Sequence, residues 1–188
     1  MADKLNIVVI CGSLREGSLN AARARALPAL APPEMTLVPA PSFAGFPIYN
    51  DDTRVKSGVP ADVEAWAAAI RQADGVIIVS PEYNWSIPGG LKNAIDWVSK
   101  LKEQPFKDKP VAIQSASPGL LGGARMQYHL RMSLGTVDAQ VLGKPEIFVN
   151  LAATKFDQKT LELTDQGVKD IVTTQLAAFA KYIARVRV

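Results

Sequence analysis

Five short apolar runs alternate with amphipathic stretches along this 188-residue chain, and the alternation restricts its possible folds. Each run is rich in β-branched residues and is apolar throughout rather than at every second position, which predicts strands buried on both faces. Between the runs, apolar residues recur with helical spacing. The predicted strands are residues 4–11, 35–39, 75–80, 110–115 and 145–150, and the predicted helices are residues 18–30, 61–73, 88–101, 122–134 and 165–186.

Strands and helices that alternate over short connections form parallel βαβ units, whose right-handed crossovers place helices on both faces of a sheet. We therefore predict an α/β fold with a doubly wound five-stranded parallel sheet in the order 2-1-3-4-5. The length favours one domain over residues 1–188. Residues 40–60 remain as a long irregular stretch, which in a compact domain is usually functional or part of an interface.

Composition excludes several classes of protein. No apolar run approaches the roughly 20 residues of a membrane span, and the polar N-terminus does not resemble a signal peptide, so we expect a cytoplasmic protein. The net charge of +3 is spread along the chain, which gives little support to nucleic-acid binding and suits anionic small molecules. The single cysteine, Cys11, is interpreted as structural. Because His129 is the single histidine, a histidine-rich metal site is excluded.

The first strand runs into a polar loop and then a helix, an arrangement that attracts anions. Free N–H groups and aligned peptide dipoles at the start of a helix favour negative charge. Ser13, Ser18 and Asn20 add neutral donors and Arg15 adds a positive charge, which is suitable for one terminal phosphate. Neither the nucleotide-triphosphate loop nor the G-x-G-x-x-G fingerprint is present, so a simple capped turn is the alternative.

Two further loops leave the same predicted edge of the sheet, where doubly wound folds bind their ligands. In the loop 81–88, Tyr83 and Trp85 supply flat faces and Asn84 an amide, as a planar heterocycle requires. In the loop 116–123, one proline and three glycines allow backbone N–H groups to approach a ligand closely. A phosphate loop, an aromatic loop and a glycine-rich loop together predict a site for flavin mononucleotide (FMN).

The motifs GSLREGSLN, SPEYNWSIPGGLKNAIDW and SPG-x-x-GG resemble the NADPH-dependent FMN reductase family, in its quinone- and chromate-reductase branch. The likeness extends from Asn6 to about Val149, and the family is flavodoxin-like. It implies FMN as cofactor, NADPH or NADH as co-substrate, and a homodimer or homotetramer with the helix 91–101 near a subunit boundary. The implied cofactor-binding residues are Ser13, Arg15, Ser18, Leu19 and Asn20 at the phosphate, Pro81, Glu82, Tyr83 and Asn84 along the ring, and Ser117 and Gly119 opposite.

The expected activity is the transfer of hydride from NAD(P)H through bound FMN to quinones, with chromate and azo compounds as further small acceptors. Because this chemistry belongs to the cofactor, no side chain is predicted to be catalytic. The alternative from another class is a flavodoxin-like electron carrier or flavin-binding module, which the positive net charge disfavours. An NADPH-dependent reductase that releases reduced FMN as its product also remains open, as does the choice between NADH and NADPH.

Overall fold

The computed structural model describes residues 4–186, which form six strands, six α-helices and two short 3₁₀-helices. The predicted single domain also includes residues 1–3 and 187–188, which lie outside the described residues. The strands are β1 Leu5–Cys11, β2 Met35–Pro39, β3 Gly75–Ser80, β4 Pro110–Ala116, β5 Gln140–Val141 and β6 Ile147–Val149. The α-helices are α1 Leu19–Ala26, α2 Asp51–Ser57, α3 Ala61–Gln72, α4 Gly89–Val98, α5 Ala124–Gly135 and α6 Gln166–Val186, and the 3₁₀-helices are Leu27–Leu30 and Ala152–Thr154.

The sheet is parallel throughout and has the order β2-β1-β3-β4-β5, which confirms the predicted topology. The edge of the sheet next to β4 differs from the prediction. Two short strands lie there instead of the single strand expected at residues 145–150. β5 pairs with the start of β4, and β6 pairs with its end. Pro145 lies between them, and since proline has no N–H to donate to the ladder, the chain leaves the sheet edge there.

Side chains that alternate along each strand pack into two separate cores. Val8 and Ile10 of β1 belong to the core under α3, α4 and α5, whereas Ile7 and Val9 belong to the core under α1 and α6. The inner strands therefore have no solvent-facing side, which explains why they are apolar at consecutive positions. None of the helices between residues 4 and 186 is long and apolar enough to cross a membrane.

Capping and proline chemistry determine where the helices begin and end. Ser18 caps α1, and its Oγ accepts a hydrogen bond from Ala21 N at 3.3 Å. α1 ends at Ala26, earlier than predicted, and the chain continues as a 3₁₀-helix that contains Pro28. Proline lacks the N–H that a further α-helical turn requires, which accounts for the change.

A short helix, α2, lies inside the stretch that was predicted to be irregular. Asn50 caps it by accepting from Asp52 N at 2.8 Å, and Gly58 ends it with a φ of 79°. α2 buries none of its residues, so it has no apolar stripe that could reveal it in the sequence. Its signals are instead the N-terminal Asn-Asp-Asp and the C-terminal glycine, which are typical of helix ends.

The rest of this stretch is held against α4 by two side chains. Asn93 Oδ1 accepts from Tyr49 N at 2.8 Å, and its Nδ2 donates to Pro47 O at 2.9 Å. Trp97 Nε1 donates to the same carbonyl at 2.8 Å. Residues 47–49 are therefore part of the packed structure and do not form a free loop.

Replacing Asn93 by alanine is expected to lower the free energy of unfolding by about 1–2 kcal/mol, because Tyr49 N loses its partner and Pro47 O keeps only the bond from Trp97 Nε1. Urea unfolding followed by tryptophan fluorescence measures this, and proteolysis near residues 40–58 should become faster. The neighbouring Lys92→Ala variant is the control, since it removes only an exposed ion pair with Asp96. Equal unfolding midpoints for the two variants would contradict the anchoring role of Asn93.

Candidate flavin site

A cleft of about 250 Å³ lies at the carboxyl ends of β1, β3 and β4. It is lined by nine of the residues predicted to bind the cofactor, which are Ser13, Arg15, Ser18, Leu19, Asn20, Pro81, Glu82, Tyr83 and Ser117. Ala116 and Pro118 also line it, whereas Asn84 and Gly119 do not. Residues far apart in the chain thus meet at the edge of the sheet expected for a ligand, and their contacts with FMN remain a prediction.

One end of the cleft has the properties of an anion site. Because Ser18 caps α1 through Ala21 N, the N–H groups of Leu19 and Asn20 are left without hydrogen-bond partners among the described residues. Arg15 is exposed beside them, and across residues 4–186 no carboxylate pairs with its guanidinium. Ser13 Oγ accepts from Arg15 N at 3.4 Å. A helix dipole, free N–H groups and an unpaired cation are a suitable donor set for a phosphate.

The side chain of Asn20 is bonded to the backbone at the end of β4. Its Nδ2 donates to Ala116 O and its Oδ1 accepts from Ala116 N, both at 2.9 Å. These bonds use the amide oxygen and one of the two N–H donors of the side chain, so one donor remains for an anion, and the role of the Asn20 side chain as a neutral donor remains a prediction. The two bonds attach the start of α1 to the end of β4.

The opposite wall of the cleft is a tight turn after β3. Tyr83 and Ser86 exchange two backbone hydrogen bonds of 3.1 and 3.0 Å, and the two residues between them, Asn84 and Trp85, have φ values of 48° and 66°. This is the geometry of a two-residue type I′ turn. It places Tyr83 at the cleft, where its hydroxyl lies 3.5 Å from Ser13 Oγ, and Asn84 at the exposed tip.

The carboxylate of Glu82 is used within the protein. Its Oε2 accepts from Met126 N at 3.1 Å, and its Oε1 lies 3.8 Å from Arg125 Nη1. Glu82 therefore caps the start of α5, where the preceding Gly123 has no side chain to do so. Arg125 also stacks on Trp85, with its Cζ 4.2 Å from the ring centroid. No local sequence motif predicts this contact.

The glycine-rich loop after β4 is fastened by bonds within the protein. Ser117 Oγ accepts from Gly119 N at 3.2 Å, Ser117 N donates to Val149 O at 2.9 Å, and Ser115 Oγ donates to Gly122 O at 2.6 Å. The N–H groups of Ser117 and Gly119 are thus already bonded, whereas those of Leu120, Leu121 and Gly123 have no hydrogen-bond partner among residues 4–186. The loop's role towards a flavin ring remains a prediction.

Cys11 lies in the wall of a second, mostly apolar cavity of about 580 Å³ between α1 and residues 37–43. Its thiol donates to Ser13 O at 3.4 Å, and burial raises the pKa of Cys11 above its usual value. A protonated, partly buried thiol is a poor nucleophile. This environment agrees with the structural role predicted for it.

The Cys11→Ala variant is therefore expected to keep the FMN affinity and the reductase activity predicted from the sequence within about twofold of wild type, because a protonated thiol has no part in the chemistry. Iodoacetamide should label wild-type Cys11 slowly at pH 7 and faster as the pH rises above the usual thiol range. A loss of most activity in the variant would contradict the structural interpretation.

Comparison with known proteins agrees with this geometry. The family model for NADPH-dependent FMN reductases matches residues 5–154. The chain is 52% identical over 188 residues to a quinone reductase of Escherichia coli (strain K12), and 42% identical over 187 residues to an NAD(P)H-dependent FMN reductase of Pseudomonas aeruginosa, with 100% of both chains covered in each case.

A solved structure agrees as well. FerB, a flavoenzyme NAD(P)H:(acceptor) oxidoreductase from Paracoccus denitrificans, superposes with a TM-score of 0.85 and is 31% identical, covering 96% of this chain and 98% of FerB. The resemblance inferred from the three motifs is thereby confirmed. This chain belongs to the NADPH-dependent FMN reductase family.

Proposed function

We propose that this chain is an NAD(P)H-dependent, FMN-containing oxidoreductase that reduces quinones, with chromate and azo compounds as further acceptors. The observation that carries the proposal is the cleft itself. It joins the N-terminus of α1 and Arg15, with which no carboxylate of residues 4–186 pairs, to the aromatic wall at Tyr83. The relatives named quinone reductase and NAD(P)H-dependent FMN reductase support the same activity.

FMN, when bound, supplies hydride transfer between a nicotinamide and an acceptor, and the protein supplies binding and orientation. The N–H groups of Leu19 and Asn20 and the guanidinium of Arg15 would hold the phosphate. Pro81 and Tyr83 would border the flat ring on the β3 side, with Ser117 on the β4 side. Since Ser13 lies within 3.5 Å of Tyr83, the phosphate end and the ring wall adjoin each other.

An anaerobic titration of the purified protein with NADH and with NADPH tests this proposal. Loss of the flavin absorbance on addition of nucleotide, followed by its return when a quinone is added, is the expected result. Flavin that stays oxidised with both nucleotides would favour a one-electron carrier, and a colourless protein that takes up no FMN would refute the proposal. The titration also tells which nucleotide is preferred.

We also propose that the chain forms a homodimer or homotetramer. Tyr128 and Met132 of α5 are 52% and 64% exposed, and they lie four residues apart on one side of the helix. Trp85, on whose ring Arg125 of α5 stacks, and Leu120, four residues before α5, are 67% and 76% exposed, and an apolar patch of neighbouring exposed side chains is typical of a protein–protein interface. Light scattering after gel filtration measures the mass, and a monomer would contradict this proposal. The cytoplasmic location remains a prediction.

A further inference from the structure

A fully buried arginine lies behind the proposed phosphate site. Arg23 is on α1, three residues after Asn20, and its relative exposure is 0%. Its Nη1 donates to Ser115 O at 3.1 Å, whereas Nε and Nη2 have no hydrogen-bond partner among the residues that the structure describes. A buried cation normally has a carboxylate beside it, because removing an ion from water is costly.

No such carboxylate accompanies Arg23 within residues 4–186. Desolvation is what lowers the pKa of Arg23, to about 9, and no charged neighbour contributes. The guanidinium still carries its proton at neutral pH. The other buried polar side chains between β4 and α6, Gln114 and Gln175, are neutral amides bonded to each other at 2.8 Å. Residues 4–186 thus keep a charged group in the interior of the fold without supplying a counter-ion for it.

Arg23 is connected to the cleft through the end of β4. Its partner, Ser115, is followed directly by Ala116, which lines the cleft and is held by Asn20. On α1, Arg23 follows Asn20 by three residues, and Asn20 belongs to the end of the helix that carries the free N–H groups. That end lies about one helical turn, roughly 5 Å, away along the axis.

We propose that Arg23 is a positioning residue for the flavin, a buried cation whose counter-charge is supplied by the phosphate of the bound cofactor. The inference rests on the proposed function and goes beyond it, since Arg23 does not line the cleft. Its charge adds to that of the α1 N-terminus, while its bond to Ser115 O holds the end of β4 next to α1. Asn20 makes the adjacent attachment to Ala116.

The test compares the affinities of the full-length apoprotein for FMN and for riboflavin, which lacks the phosphate. Arg23→Met and Arg23→Gln remove the charge, and glutamine keeps a donor for Ser115 O in case methionine prevents folding. Both variants are expected to lose FMN affinity roughly tenfold more than riboflavin affinity, because only FMN carries the counter-charge. Arg23→Lys should restore most of the preference for FMN.

Thermal unfolding of the same apoproteins gives a second readout. Since an unpaired buried charge is replaced by an apolar side chain of similar length, Arg23→Met apoprotein should unfold at the same temperature as wild type or higher. Arg25→Met is the matched control, because it removes the same charge from an exposed position on α1 and should leave the FMN-to-riboflavin ratio within twofold.

Two outcomes would overturn the inference. One is an unchanged FMN-to-riboflavin ratio in the Arg23 variants, with or without a loss of stability, which would indicate packing alone. The other is an equal change of the ratio in Arg25→Met, which would indicate an effect of net charge. If the wild-type protein itself binds no FMN, the proposed function is wrong. If wild type and variants bind FMN equally well, the proposed function stands and only the role of Arg23 is wrong.

Discussion

The Arg15→Ala variant is expected to bind FMN about ten- to a hundredfold more weakly than wild type. A guanidinium that donates to a phosphate makes charge-assisted hydrogen bonds worth about 1.5–3 kcal/mol, and each 1.4 kcal/mol corresponds to a factor of ten. Arg15 is free for this role, because no carboxylate within residues 4–186 pairs with it. Fluorescence titration of the apoprotein with FMN measures the dissociation constant.

The matched control is Arg25→Ala, since Arg25 is also exposed but lines the apolar cavity on the other side of the first loop. It should leave the FMN dissociation constant within about twofold, because an exposed charge away from the phosphate is screened by solvent and salt. If the two variants weaken FMN binding equally, the effect belongs to the net charge and Arg15 is not the phosphate ligand.

Replacing Gly122 by alanine is expected to lower the free energy of unfolding by about 2–4 kcal/mol. Gly122 has a φ of 58°, which costs a residue with a Cβ roughly 1 kcal/mol. The added Cβ would also lie 2.7 Å from the carbonyl carbon of Phe148, and overpacking against backbone costs about 1–3 kcal/mol. Thermal or urea unfolding measures the loss, and FMN affinity should fall as well because the loop carries Ser117.

Gly119→Ala in the same loop is the control. A Cβ at Gly119 would have Ser117 Oγ as its nearest neighbour at 3.6 Å, an ordinary contact, so we expect a change below about 0.5 kcal/mol. Equal destabilisation of both variants would mean that the loop tolerates no side chain at either position, and that the close approach of Gly122 to β6 is not the cause.

Local chemistry in the chain was sufficient to predict much of the fold. The inner strands are covered on both faces, so each appears as an uninterrupted β-branched run, and β3 has the bounds that its sequence predicts. Ser18 is identifiable as a helix cap because a short polar residue precedes a helical pattern. α2 was missed because a helix that buries nothing lacks the apolar periodicity on which the prediction depends.

The candidate site was predictable in its location but not in its internal contacts. Three polar or glycine-rich loops that follow parallel strands must leave the same sheet edge, so the sequence indicates that Ser13, Tyr83 and Ser117 meet. It does not indicate that the amide of Asn20 is bonded to Ala116, or that the carboxylate of Glu82 caps α5 at Met126. These pairs are 96 and 44 residues apart, and their geometry depends on how α1 and α5 pack on the sheet.

The strand order and the common sheet edge of the binding loops can be inferred from local sequence patterns. Each buried strand or helix face requires apolar residues at a spacing that is visible within a few residues of the chain. Contacts between distant segments decide three features: the burial of Arg23, the interrupted edge strand and the attachment of Asn20 to Ala116. Such contacts depend on distances of a few ångströms across the assembled core, and no local pattern in the chain records them.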